Sequence, residues 1–151
     1  MKIRWGRAVL AGVVGTAVMT AVGVWVAPAM GMPPMNPAEM LAGAMGGSLL
    51  LGWIAHFMIG TVLALIYAFV APALPGAPVL RGALYGIAPW LLAQVAVMPM
   101  MGMPIFSGSA VMAIGSLVGH LVYGAVIGGV YGHPATVARR RDQPGVARSS
   151  V

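Results

Sequence analysis

GWIAHFMIGTVLALIYA, Gly52 to Ala68, is an apolar stretch with one imidazole in it. A second stretch, SLVGHLVYGAVIGGVYG, Ser116 to Gly132, follows the same plan. At a constant offset of 64, His56 falls on His120, Gly60 on Gly124 and Tyr67 on Tyr131. Neither stretch alternates apolar with polar as a half-buried strand would. Gly52, His56, Gly60, Ala64 and Tyr67 are instead spaced by four, four, four and three, which lays them along one face of a helix. The matching stripe is Ser116, His120, Gly124, Gly128 and Tyr131. Unbroken apolar runs of this length read as membrane-crossing helices. The hydrocarbon core takes about 20 helical residues, and backbone groups in lipid must find their partners within the segment.

Composition agrees. Sixty per cent of the residues are hydrophobic, 7% are charged, and the mean hydropathy is +0.96. A soluble domain carries about 25% charged residues, so this chain lacks the material for a water-facing surface. Four runs are long enough to span: Ala8 to Ala27, about Ser48 to Val70, Gly82 to Met98 (slightly short, with Pro89 and Gln94 inside), and Ala110 to Gly132. The first has the basic start and the Ala27-Pro28-Ala29 ending of a signal peptide. We read it as a retained span, because its apolar run exceeds the usual 7–15 residues of a signal core and because it has a counterpart later in the chain.

That counterpart is the third run. At an offset of 74, Arg7 falls on Arg81, Gly12 on Gly86 and Thr20 on Gln94. Between them, PAMGMP (Pro28 to Pro33) and PMMGMP (Pro99 to Pro104) follow the odd-numbered runs at an offset of 71. The expected fold is therefore all-α: four transmembrane helices forming two parallel-repeated hairpins, related by a pseudo-two-fold along the membrane normal. The domain covers 1–132, with repeat one over 5–71 and repeat two over 79–132. The segment 133–151 reads as a basic, disordered cytoplasmic tail.

Charge placement orients the bundle. Lys2, Arg4, Arg7, Arg81, Arg139, Arg140, Arg141 and Arg148 all fall on one side, and the two Met-Gly-Met-Pro connections hold no Lys or Arg. By the positive-inside rule both termini are cytoplasmic, in a bacterial inner membrane. The charge of +6 then marks topology and lets the tail touch anionic lipid; its placement at the chain ends does not make a nucleic-acid surface.

Small residues at four-residue spacing let membrane helices approach closely. Gly12, Gly52, Gly60, Gly86, Gly124 and Gly128 are the expected contact points, on stripes that include Ala8, Gly12, Thr16 and Thr20 in the first run and Gly82, Gly86, Trp90 and Gln94 in the third. A square of alternating helices would turn His56 and His120 towards each other, about 12 Å below the outer surface at 1.5 Å per residue. Thr20 and Gln94 come to similar depth. This intramembrane cluster of His56, His120, Thr20 and Gln94 has several readings. The histidines pin the helix register through hydrogen bonds; they ligate haem b axially; they sit beneath a copper path built from Met30, Met32, Met101 and Met103, since thioethers select Cu(I); or they relay protons or a solute. Methionine is also an adaptable apolar filler.

Enzyme chemistry finds little support. The only carboxylates are Glu39 and Asp142, outside the spans, and there is no cysteine. Glu39 instead belongs to a helix start in the first outer connection: Asn36 as cap, Pro37 in the first turn, Glu39 three residues after the cap. A short interfacial helix from Pro37 to about Ala44 is expected there. The stretch APALPGAPVL between the hairpins reads as a stiff turn. The prolines that bracket the Met-Gly-Met motifs are expected to stop the odd-numbered helices.

The recurring Arg-x4-Gly of the odd runs and His-x3-Gly-x6-Tyr of the even ones resemble small four-helix bacterial membrane proteins of unknown function, over about residues 5 to 132. The resemblance implies fold and membrane location, and no catalytic role for any residue. A non-enzymatic structural or accessory protein is the function this sequence supports, with the lipid bilayer as its surroundings and a homo-oligomer or larger membrane complex as the expected assembly.

Overall fold

The computed structural model describes residues 3–132; the basic tail 133–151 lies outside the described residues. Among the described residues there are five helices and no strand. Four are long and apolar enough to cross a membrane: α1 (Trp5–Ala29, 25 residues), α3 (Leu49–Ala73, 25), α4 (Pro78–Met100, 23) and α5 (Ala110–Tyr131, 22). The fifth, α2 (Pro37–Ala44), is the short helix anticipated in the connection between the first two spans. The third span is not short, as its apolar run suggested. Pro78 opens it four residues before Gly82, at a helix-starting position where the missing N–H goes unneeded.

Polar caps start three of the helices. Asn36 Oδ1 accepts from the Ala38 amide at 3.1 Å, while its side-chain nitrogen donates to Glu39 at 2.9 Å. Glu39 therefore serves the cap through the asparagine side chain rather than through the main chain. Ser48 and Ser109 accept from the Leu51 and Met112 amides.

The ends of α1 and α4 differ from expectation. The prolines do not stop these helices. Each helix passes into a π turn, Val22–Val26 in α1 and Ala93–Val97 in α4, and then regains one α turn that contains the proline. Pro28 and Pro99 lack an N–H, and their rings crowd the carbonyls four residues back, at Val24 and Val95. Those two residues sit at the centre of the π turns, where bonding over five residues (Ala27 N–H to Val22 O, Met98 N–H to Ala93 O) re-routes the ladder. Termination falls to Gly31 and Gly102, at φ of +80° and +77°. In each copy the glycine amide bonds the proline carbonyl and the next methionine amide bonds the carbonyl before it: Gly31 to Pro28 and Met32 to Ala27, Gly102 to Pro99 and Met103 to Met98. This is the Schellman arrangement, which requires the left-handed conformation glycine adopts freely.

Packing is carried by close backbone approach. α1 packs on α3 and α5, α4 packs on α5, and α2 covers α3; α3 and α4 touch little despite being joined by a short turn. A Cβ placed on Gly82 would meet the Gly124 carbonyl, one on Gly124 the Gly82 carbonyl, one on Gly128 the Pro78 carbonyl, and one on Gly86 the His120 carbonyl. The α1–α3 crossing uses Gly12 against the Cα of Thr61, and Gly60 against the Thr16 hydroxyl. Gly52 faces α2 through the Ala38 carbonyl rather than another span. The expected stripes on α1 and α3 are buried throughout, and on α4 and α5 they are buried or half-buried. Towards the end where the chain enters, Tyr67, Tyr85, Tyr123, Tyr131 and Ile127 fill the interior.

Candidate functional site

Above this tyrosine-rich core the bundle does not close. A cavity of about 330 Å³ is bounded by all four long helices and both Met-Gly-Met-Pro turns. His56, His120 and Gln94 line it, together with nine of the chain's 13 methionines, among them Met30, Met32, Met101 and Met103. The two turns reach the same space because the Schellman glycines send both chains back over the bundle mouth.

The four-residue polar cluster expected from the sequence is divided in two. On one side Thr20 Oγ1 lies 2.9 Å from His56 Nε2. The hydroxyl's single proton is given to the Thr16 carbonyl at 2.8 Å, so the threonine oxygen accepts from His56 Nε2–H, and Nδ1 keeps the lone pair. On the other side Gln94, 1% exposed, meets neither histidine. Its amide nitrogen donates to Ser116 Oγ at 3.2 Å, and its oxygen accepts from the Ser107 hydroxyl at 3.0 Å. His120 lies 2.8 Å from its own helix carbonyl at Ser116, through Nδ1. A carbonyl only accepts, so Nδ1 carries the proton and Nε2 is bare. The histidines are thus opposite tautomers, held by different neighbours.

Ser107 and Ser116 are the site residues that sequence reasoning passed over. Ser116 was legible as a stripe position. Ser107 depends on a turn, Ile105–Gly108, in which Phe106 and Ser107 both adopt left-handed backbone (φ 54° and 58°). Non-glycine residues take that conformation at an energetic cost, and no local signal announces it. Register also shifts here. By local geometry Gln94 matches Gly23, the second residue of the other π turn, rather than Thr20. Gly23 holds the connection that follows its own helix by accepting the Met35 amide at 3.0 Å, as Gln94 holds Ser107.

Among the described residues there is no group of three or more His, Cys, Asp or Glu placed to share a metal ion. Ions that need several nitrogen, carboxylate or thiolate ligands therefore lack a complete set, whereas a soft ion finds thioether sulfur and imidazole in one enclosure. Haem fits less well. His56 Nε2 is committed to Thr20, no Lys or Arg among the described residues lines the cavity to meet propionates, and Arg7 and Arg81 lie at the opposite ends of their helices.

Helices of this length and apolarity, packed through glycine around an internal cavity, define a small multi-pass membrane protein. The chain belongs to a family of unknown function (DUF6789), whose pattern matches residues 4–142. Comparison with curated proteins and with solved structures finds no match.

Proposed function

We propose that this protein is a non-enzymatic, multi-pass protein of the bacterial cytoplasmic membrane that binds Cu(I) in the cavity beneath its two Met-Gly-Met-Pro turns. The observation that carries this reading is convergence. Met30 and Met32 from one connection, and Met101 and Met103 from the other, line one cavity with His56 and His120. Methionine as filler needs no such gathering, since it packs equally well anywhere apolar. Cu(I) is the ion that thioethers select, and His120 offers a bare Nε2 whose ring is oriented by the Ser116 carbonyl, as metal-bound imidazoles commonly are.

Two parallel hairpins arising by duplication account for the recurrent π turns and caps. Both termini on the cytoplasmic side follow from arginine placement, which sets the methionine turns on the outer face. The bilayer is the immediate partner, with assembly into a homo-oligomer or a larger complex. A structural or accessory role is the second reading, favoured by the hydrogen bonds with which Thr20 and Ser116 hold the two imidazoles. Conduction of protons or solute has less to support it, because the tyrosine core fills the bundle below the cavity.

The test is to purify the protein in mild detergent, load it with Cu(I) under reducing conditions, and measure bound copper and the absorbance spectrum. About one tightly held Cu(I), lost when Met30, Met32, Met101 and Met103 are replaced by Leu, is the expected result. Wild-type protein that retains no copper after loading overturns the copper reading and leaves the structural one.

A further inference from the structure

The cavity has a side entrance. Among the described residues, α3 and α4 are bridged by hydrogen bonds only near their connecting turn, where Tyr67 Oη donates to the Pro78 carbonyl at 3.4 Å and Tyr85 Oη donates to the Leu63 carbonyl at 2.8 Å. Beyond those bonds the two helices touch little. Ile59 of α3 and Leu92 of α4 line the cavity and yet are 43% and 59% exposed. A residue on both surfaces at once is part of an opening; Val26, Met30 and Met103 mark the mouth at the methionine turns in the same way, and Val118 marks α5. Ile59 lies about 15 Å along α3 from Leu49, and Leu92 about 12 Å along α4 from Met100, at 1.5 Å per residue. In a hydrocarbon layer about 30 Å thick, the opening between Ile59 and Leu92 faces neither water nor headgroups. It faces lipid chains.

The interior behind it suits the same material. Leu63 and Pro89 line its wall, and the hydroxyl of Tyr123 at its floor is already given to the Gly60 carbonyl at 2.5 Å. Water entering from the side would leave its own hydrogen bonds behind and find few partners. A volume of about 330 Å³ is within the ~300–1,000 Å³ of small-molecule pockets. We infer that the cavity takes up a hydrocarbon chain of a membrane lipid through the gap between α3 and α4. This site needs no metal and is independent of the copper reading.

The full chain, reconstituted in nanodiscs with a phospholipid bearing a diazirine at mid-chain, tests it. After irradiation, label is expected on the buried wall around Pro89 and Tyr123 as well as on outward residues such as Ile114. Leu92→Trp and Ile59→Trp, at exposed positions that tolerate bulk, should each lower the inner label at least tenfold and leave Ile114 labelling unchanged. Label confined to outward residues, inner label unaffected by either tryptophan, or chain-to-chain adducts in place of lipid adducts overturns the inference. Protein that binds no Cu(I) but carries inner lipid label sinks the metal reading alone; the reverse result sinks this one alone.

Discussion

The two hairpins share a skeleton and differ in what it holds. Both odd-numbered spans bend through a π turn, cross a proline and end on a left-handed glycine with the same pair of capping bonds. Both even-numbered spans carry histidine, glycine and tyrosine at the same spacing. In the first hairpin, however, the crossing mixes the two kinds of contact, with Gly12 against the Thr61 backbone and Gly60 against the Thr16 side chain, the histidine is held across the interface by Thr20, and the connection between the spans carries α2. In the second, backbone meets backbone at Gly82, Gly124 and Gly128, the histidine is held by its own helix, and the connection is a tight turn tied down by Gln94. Features fixed by backbone geometry recur, whereas side-chain hydrogen bonds are free to be rewired. The second hairpin brings its backbones together at more points than the first.

The largest effect that would break this comparison lies at the paired glycines. Gly124→Ala forces a methyl onto the Gly82 carbonyl, which is fixed in the backbone, while Gly60→Ala forces one onto the Thr16 side chain, whose hydroxyl can rotate away at the loss of its bond to the Gly12 carbonyl. Overpacking costs about 1–3 kcal/mol and occasionally more. Unfolding by SDS in mixed micelles should place Gly124→Ala at or above the top of that range and Gly60→Ala within it. Equal losses would show that the crossings are equivalent.

The histidines come next. His120→Ala should weaken Cu(I) affinity tenfold or more in competition with a colorimetric chelator, because it removes the bare Nε2. His56→Ala should change affinity less than about threefold, corresponding to under ~0.7 kcal/mol where 1.4 kcal/mol is tenfold. The opposite order would exchange the roles of the two hairpins.

Hydrogen bonds between membrane helices contribute about 0.6 kcal/mol on average and up to ~1.7. Thr20→Val removes one such bond. Gln94→Leu removes two and should therefore destabilise by more in the same unfolding assay, an order that would fail if the Ser107 bond contributes nothing. The smallest change is expected for Ser107→Gly. Losing the bond to Gln94 is offset by relief of a left-handed backbone, itself a cost of order 1–3 kcal/mol, so stability should stay within about 1 kcal/mol of wild type. A larger loss would mean that the turn draws its stability from the Gln94 contact.

Much of the scaffold was legible in the sequence, for stated reasons. Apolar run length located the four spans, the Asn36-Pro37 start located α2, and four-residue spacing located the buried stripes with their glycines. The polar cluster was legible only as a depth. Which neighbour holds His56 or His120 depends on rotation about each helix axis, and periodicity over two or three turns does not fix that rotation. The π turns carry no pattern of their own. Their cause, a proline four residues beyond the disturbed carbonyl, is visible only once the helix is known to continue past the proline.

Those π turns have a consequence for inheritance. Each absorbs one extra residue: bonding over five residues instead of four places the chain beyond the turn where a plain α-helix one residue shorter would place it. Deleting Val24 alone should therefore convert the first to a plain α turn and leave Met30 and Met32 facing Met101 and Met103. Single-residue deletions should be survivable within Val22–Val26 and ruinous a turn or two earlier, where an uninterrupted α-helix has no slack and everything beyond the cut turns by about 100°, one step of a helix with 3.6 residues per turn.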